Sequence, residues 1–297
     1  MVESTLTSAT SAHEPQVTFY EKITCCNPIR IYKDVCSNTH RSHLNVPLHY
    51  PLRMSQNRLF PGELVLANTD FSMKIVNLET SSMQDMQASD QHTKQITALH
   101  CPSFVDGELA HVFMSAGEDG IVKIWDRRSA QAVASVTTNT KAPIFSVSSN
   151  QNHIVSGTNE DLFIFDIHSL SKPIAHFTEC HSEDVTGIAF ANDKNQFITC
   201  GVDYVLNFFN LSLSTAKKGF REDEVIDGAY SCLQPMVACG YVSDEIIWVQ
   251  TTINTVEFIR QIDAICFLRV EHVSKLSSFF DVTFCVVSAR CDIPDWS

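Results

Sequence analysis

A histidine, a hydroxyl residue and an aspartate recur together twice along this chain: His92 with Ser115 and Asp119, and His181 with Thr199 and Asp203. Such a trio is the raw material of nucleophilic catalysis, in which a base takes the hydroxyl proton and a carboxylate orients the base. The surrounding sequence argues against that chemistry. No GxSxG elbow, P-loop, HExxH or GxGxxG motif accompanies either trio. Ten glycines in 297 residues leave little material for a phosphate-cradling loop. Each trio also sits at the same place in a repeated unit, where its hydrogen bonds would tie loop to strand rather than activate a nucleophile. No enzyme activity, cofactor or metal is expected.

Thiol chemistry fares no better. The eleven cysteines form no CxxC pair, and their odd number argues against a complete disulfide framework. Most sit among strand-like apolar residues, as reduced, buried thiols do, and the spacing of a structural zinc site is absent. The formal net charge of −13, with a pI near 5.3, repels phosphate backbones. The longest basic features are the pairs Arg127-Arg128 and Lys217-Lys218. Nucleic acid is therefore not an expected partner; a protein partner is, with basic peptides or tails the best match for an acidic surface. Asn210-Leu-Ser212 matches a glycosylation sequon, but Asn210 falls at a structural position of the repeat. Met1 to Pro15 is polar, unlike a secretory signal. The apolar run from Ile262 to Val287 is interrupted by five charged residues, unlike a membrane span. These features predict a cytoplasmic or nuclear protein with no membrane attachment.

The elements that must position these residues show in a repeat. Four segments share a β-rich run, a tight turn bearing a carboxylate or amide, and a second β-rich run. They cover 64–77, 112–126, 153–166 and 197–210. In each, the turn residue (Asp70, Asp119, Asn159 or Asp203) precedes a large apolar residue (Val76, Trp125, Phe165 or Phe209) by six positions, and Asn or Asp follows at once. The large residues recur after 49, 40 and 44 residues. A period of 40–45 with this ending marks a blade of a β-propeller. Ile96–Leu99 and Val185–Phe190, downstream of His92 and His181, read as innermost strands. A degenerate fifth unit reads from Ala229 through Met236–Cys239 to Ile246–Trp248.

Trp125-Asp126 is the dipeptide that gives the WD-repeat family its name, and the arrangement resembles that family closely. The run Asp119–Arg128, with Ile154–Thr158 and His181–Thr186, is similar to the WD repeat-containing protein 89 group over roughly Gly62 to Leu211. The resemblance implies a non-enzymatic protein–protein interaction scaffold. It also implies that His92, Ser115, Asp119 and Trp125 form a hydrogen-bonded chain inside one blade. His181, Thr199 and Asp203 would do so in another, where Phe209 cannot donate the last bond.

Two surface features are candidate partner sites. Trp125-Asp126-Arg127-Arg128 matches the Trp-Asp-x-Arg box by which WD-repeat proteins resemble substrate receptors of cullin-type ubiquitin ligases, with Arg128 making a charge-assisted contact. Glu118, Glu183 and Asp184 should lie on the loop face that a rigid ring presents to partners.

The expected class is an all-β WD-repeat propeller that is incomplete, with about five readable blades of an expected seven. Seven at about 43 residues each would need roughly 300 residues. Residues 1–61 form an N-terminal segment that could supply part of a blade, through Val17–Tyr20 and Ile29–Tyr32. Residues 62–250 carry the blades, and 251–297 form a C-terminal tail that is either diverged or truncated.

Overall fold

The computed structural model describes residues 51–56, 60, 62–102, 108–138, 140–191, 194–215 and 219–270, all within the compact unit Asn45–Ser297. Val17–Tyr20, Ile29–Tyr32 and the stretch from 271 to 297 lie outside the described residues.

Those residues form five four-stranded antiparallel sheets, each made of four consecutive strands. Blade one contains β1 (Pro51–Gln56), β2 (Glu63–Asn68), β3 (Met73–Asn77) and β4 (Met83–Asp85). Blade two contains β5 (Ile96–His100), β6 (Val112–Gly117), β7 (Ile121–Asp126) and β8 (Gln131–Thr137). Blade three contains β9 (Ser146–Ser149), β10 (His153–Gly157), β11 (Leu162–Asp166) and β12 (Ala175–Phe177). Blade four contains β13 (Val185–Phe190), β14 (Gln196–Gly201), β15 (Val205–Asn210) and β16 (Ile226–Ser231), with a one-turn helix, α1 (Glu222–Val225), before the last strand. Blade five contains β17 (Met236–Tyr241), β18 (Ile246–Thr251), β19 (Val256–Arg260) and β20 (Ile265–Val270). The innermost strands β1, β5, β9, β13 and β17 meet in succession, which is the blade order of a propeller.

The core lies between the sheets, because successive residues of a strand face opposite neighbours. In β6, Phe113 packs with Trp125 toward Val65, Met73 and Ile75 of blade one. Met114 and Ala116, one step out of phase, pack toward Val147, Ile154 and Phe163 of blade three. The same layering joins blade three to blade four around Ile164, Phe177 and Phe209. It joins four to five around Ile198, Leu206, Ile247 and Val249.

A hydroxyl link crosses three successive seams. Thr97 Oγ1 donates to the Ile144 carbonyl at the start of the next inner strand. Ser146 Oγ donates to Val185 O at 2.7 Å, and Thr186 Oγ1 to Met236 O at 2.7 Å. Thr97 and Thr186 sit at the residue that the inner-strand register skips, a β-bulge that turns one side chain out of the ladder. In blade five the skipped residue is Val237, which has no hydroxyl to offer.

Blade boundaries differ from the sequence reading in three places. The strand β1 already belongs to blade one, ahead of residue 62, while β19 and β20 extend blade five beyond residue 250. Ala229–Ser231 closes blade four as part of β16 rather than opening the fifth unit. Trp248, read as that unit's aromatic ending, lies on the second strand, where it is buried. The third strand, β19, carries no aromatic at its end, so a search for one stopped a strand early.

Candidate functional site

Strand direction sorts the candidate residues onto two ends of the blades. The strand β7 starts beside the turn at Asp119 and Gly120 and runs to Asp126, so Glu118 and Arg128 lie at opposite ends. Glu118 N donates to Gln95 O at 2.9 Å, which brings the His92 loop to the turn end. Val202 N donates to Asp184 O at 3.0 Å, which places the loop carrying Glu183 and Asp184 at the matching end of blade four. Across the seam, Asn159 Nδ2 donates to Asp184 Oδ1 at 3.0 Å. Glu118, Glu183 and Asp184 thus share one rim, here termed the upper rim. Arg128 lies on the lower one.

Beneath the upper rim of blade two, four side chains form a continuous network. Trp125 Nε1 donates to Ser115 Oγ at 2.8 Å, and Ser115 Oγ lies 2.7 Å from His92 Nε2. His92 Nδ1 lies 2.9 Å from Asp119 Oδ2. An ionised carboxylate can only accept, so Nδ1 is the donor; in the neutral ring this leaves Nε2 to accept from Ser115. Asp119 also accepts from the backbone N–H groups of Thr93 and Ile121. Burial by itself would raise the Asp119 carboxyl. The hydrogen bond and charge of His92, with the two backbone donors, outweigh it and hold the group below the usual carboxylate range.

Blade four repeats the network one member short. His181 Nδ1 lies 2.8 Å from Asp203 Oδ2, and His181 Nε2 lies 2.7 Å from Thr199 Oγ1. Burial again pushes the Asp203 carboxyl up, and His181 with the Val205 and Ser182 backbone more than reverses it. Phe209 stands where Trp125 stands in blade two and stacks on Phe197 with centroids 4.6 Å apart. Both hydroxyls, on Ser115 and Thr199, are fully buried. In this position they tie a loop to a strand. In blade three the equivalent Ser156 Oγ is buried without a hydrogen-bond partner among the described residues, since no histidine reaches it.

On the lower rim, Arg128 is held by its own box. Its Nε donates to Asp126 Oδ1 at 3.1 Å and its Nη2 to Asp126 Oδ2 at 2.9 Å. The Arg128 hydrogen bond is the main reason the Asp126 carboxyl sits below its usual range. The Arg128 side chain remains 55% exposed. Its neighbour Arg127 pairs with Glu63 and covers the Phe60 ring at 3.6 Å, so it belongs to the seam between blades one and two.

Sequence reasoning missed a buried acid in blade five. Glu257 is 2% exposed, accepts from Tyr230 Oη at 3.0 Å and pairs with Arg269 Nη2 at 2.8 Å. The only sequence signal was a charge flanked by Val256 and Phe258 in a strand-like run. Among the described residues, no group of three His, Cys, Asp or Glu side chains is arranged to hold a metal. No helix of the described residues is long and apolar enough to cross a membrane.

Five blades in succession, two of them locked by a His–Ser/Thr–Asp network, define a β-propeller of the WD-repeat kind. The family model "WD domain, G-beta repeat" matches residues 85–126 and 171–210, which carry those two networks. Those two matches, set in five successive four-stranded blades, give the fold of a WD-repeat β-propeller. It is 27% identical over 174 residues to WD repeat-containing protein GTS1 of Arabidopsis thaliana, covering 57% of this chain and 43% of that protein. It is 30% identical over 172 residues to histone acetyltransferase type B subunit 2 of Candida glabrata, covering 56% of this chain and 38% of the relative. An uncharacterized WD repeat-containing protein of Saccharomyces cerevisiae is 23% identical over 182 residues, with 59% and 43% covered. The chain thus spans about two-fifths of the length of each of these relatives.

Proposed function

We propose that this protein is a non-enzymatic scaffold that binds basic segments of partner proteins on its upper rim. WD-repeat propellers act through protein partners, and the acidic rim supplies the chemistry for this choice. The observation that carries the reading is the anchoring of Glu118, Glu183 and Asp184. Each lies in a loop or turn that the His92 or His181 network holds in place, so the backbone that carries the carboxylates is already ordered. One relative is by name a subunit of a histone acetyltransferase, which accords with a partner-binding role. A cytoplasmic or nuclear location, where basic protein tails are plentiful, goes with this reading.

Fluorescence anisotropy with a labelled Lys/Arg-rich peptide tests it. Binding should weaken about tenfold or more in the triple variant Glu118→Lys, Glu183→Lys, Asp184→Lys, and should fall with rising salt. Equal binding by the variant and the parent chain would sink the proposal.

A second reading rests on Arg128. The Asp126 fork fixes the guanidinium direction while leaving it half-exposed on the lower rim, as a ligase-adaptor contact would require. Arg128→Ala should then abolish association with a cullin-type ligase adaptor in a purified binding assay and leave upper-rim binding intact.

A further inference from the structure

Blades four and five depart from the rest of the upper rim in a way that their hydrogen bonding does not require. Three large apolar side chains are exposed there: Tyr204 at 47%, Leu233 at 71% and Ile253 at 59%. Single exposed apolar residues are ordinary, and adjacent ones are not. Backbone bonds make these three neighbours. Cys232 N donates to Tyr204 O at 2.8 Å, which lays Leu233 beside the Tyr204 turn, and Thr252 N donates to Pro235 O at 2.9 Å, which lays the Ile253 turn beside the Leu233 loop.

Two of these residues occupy turn positions whose residue type varies between blades. Tyr204 follows the turn aspartate, as Gly120 does in blade two and Phe71 in blade one, and all three have a left-handed backbone, with φ of 69°, 73° and 65°. Glycine adopts this conformation freely, whereas a tyrosine pays about 1 kcal/mol for it. Nothing in the His181 network uses the ring. Ile253 stands one residue before Asn254, whose φ of 60° marks the same turn position, so Ile253 replaces the turn carboxylate itself.

The charges around this row are of one sign. The loops 178–184, 202–204, 232–235 and 252–255 contain Glu179, Glu183, Asp184 and Asp203, and neither a lysine nor an arginine. Blades two and three are mixed at the same level, with Lys94 and Lys141 among their acids.

We infer that the upper rim of blades four and five docks a short polypeptide segment that carries both apolar and basic side chains. Its apolar residues cover Tyr204, Leu233 and Ile253, and its lysines or arginines face Glu183 and Asp184. This rests on the acidic-rim reading above and narrows it to one sector and one class of partner. Charge complementarity selects the occupant. A second copy would bring an identical acidic rim against this one, and a nucleic acid would bring phosphates. A flanking ring also attracts a cation through its π face, so Tyr204 serves both halves of such a segment.

The test is selection from a displayed library of random short peptides against the full chain, followed by anisotropy on the enriched sequence. Enriched peptides should combine lysine or arginine with at least two large apolar residues. Their affinity should drop tenfold or more in the variant Tyr204→Gly, Leu233→Ser, Ile253→Ser, whose melting temperature should not fall below the parent's, because all three side chains are exposed and glycine relieves the left-handed backbone at residue 204. Peptides that lack apolar residues, or that bind this variant unchanged, overturn the inference. If such peptides are nevertheless weakened by Glu118→Lys, the acidic-rim reading survives and only the sector is wrong. Failure to enrich any peptide overturns both.

Discussion

In blade two the turn residue Asp119 accepts from His92, and the chain of bonds ends on the Trp125 indole. In blade five the matching turn residue is Ile253, and the register leaves no room for such a chain. Asp126 closes β7 opposite Val112, and Arg260 closes β19 opposite Ile246, so Ile259 is the counterpart of Trp125. By the same pairing Val249 answers to Ser115 and Glu257 to Lys123. Ser115, Asp119 and Trp125 thus all answer to apolar residues in blade five. The strand geometry survives, because alternating burial specifies a sheet without any of these bonds. What replaces them is a tie of another kind: buried Glu257 held by Tyr230 from the preceding blade and by Arg269 from β20. Blade two thus locks its own loop to its own strand, whereas blade five depends on a neighbour.

Five measurements can break or sharpen this contrast. The largest effect should come from Trp125→Ala, which empties a fully buried site and removes one of the two hydrogen bonds of Ser115, at a cost of about 3–5 kcal/mol in urea unfolding. A loss under about 2 kcal/mol would mean that blade two is no better locked than its neighbours. Arg269→Ala should cost about 2–3 kcal/mol, since it leaves the Glu257 charge buried without its cationic partner, although the arginine itself is partly solvated. If the cost is nil, the fifth blade is held by its apolar contacts alone.

Asp203→Ala should lower stability by about 1–3 kcal/mol by leaving His181 and two backbone N–H groups without their acceptor. The converse change, Ile253→Asp, should shift stability by less than about 0.5 kcal/mol, because blade five has no histidine network to receive it. A gain of a full kcal/mol from Ile253→Asp would show that the network can be rebuilt from one residue.

The smallest effect concerns acid. Asp119 and Asp203 have carboxyls held below their unfolded values, so folding releases protons from them. Their contribution is complete above about pH 4, the unfolded carboxylate range, and is lost as pH falls through the lower folded values. Melting curves from pH 5 to pH 2 should therefore be steeper in the parent than in Asp203→Ala. Parallel curves would detach that carboxylate from acid stability.

How much could be read beforehand follows from the same contrast. The middle strands β2–β3, β6–β7, β10–β11 and β14–β15 were legible because a turn residue and a large apolar residue recur six apart. The inner strands β5 and β13 followed from their upstream histidines. The outer strands β4, β12 and β20 were not legible: β4 and β12 are only three residues long, and β20 is exposed along most of its length. Blade five was misplaced because Ile253 hides its turn and Trp248 lies on the wrong strand to mark its end. The network residues were found through their types and spacing. Glu257 was missed because its partners come from different strands, and nothing in linear order joins them.

The hydroxyl links of Thr97, Ser146 and Thr186 bear on how such a molecule grows over generations. Each link has an outgoing half, written as one serine or threonine near the start of an inner strand, and an incoming half that is a backbone carbonyl. Any residue brings a carbonyl, so the receiving side needs no matching mutation. A duplication that copies one blade therefore copies a complete connector, and the copy fits behind any predecessor. Blade five takes such a bond from Thr186, and the residue at its own bulge, Val237, has no hydroxyl to give. Lineages that add a blade after it must restore a hydroxyl at that residue or find another joint.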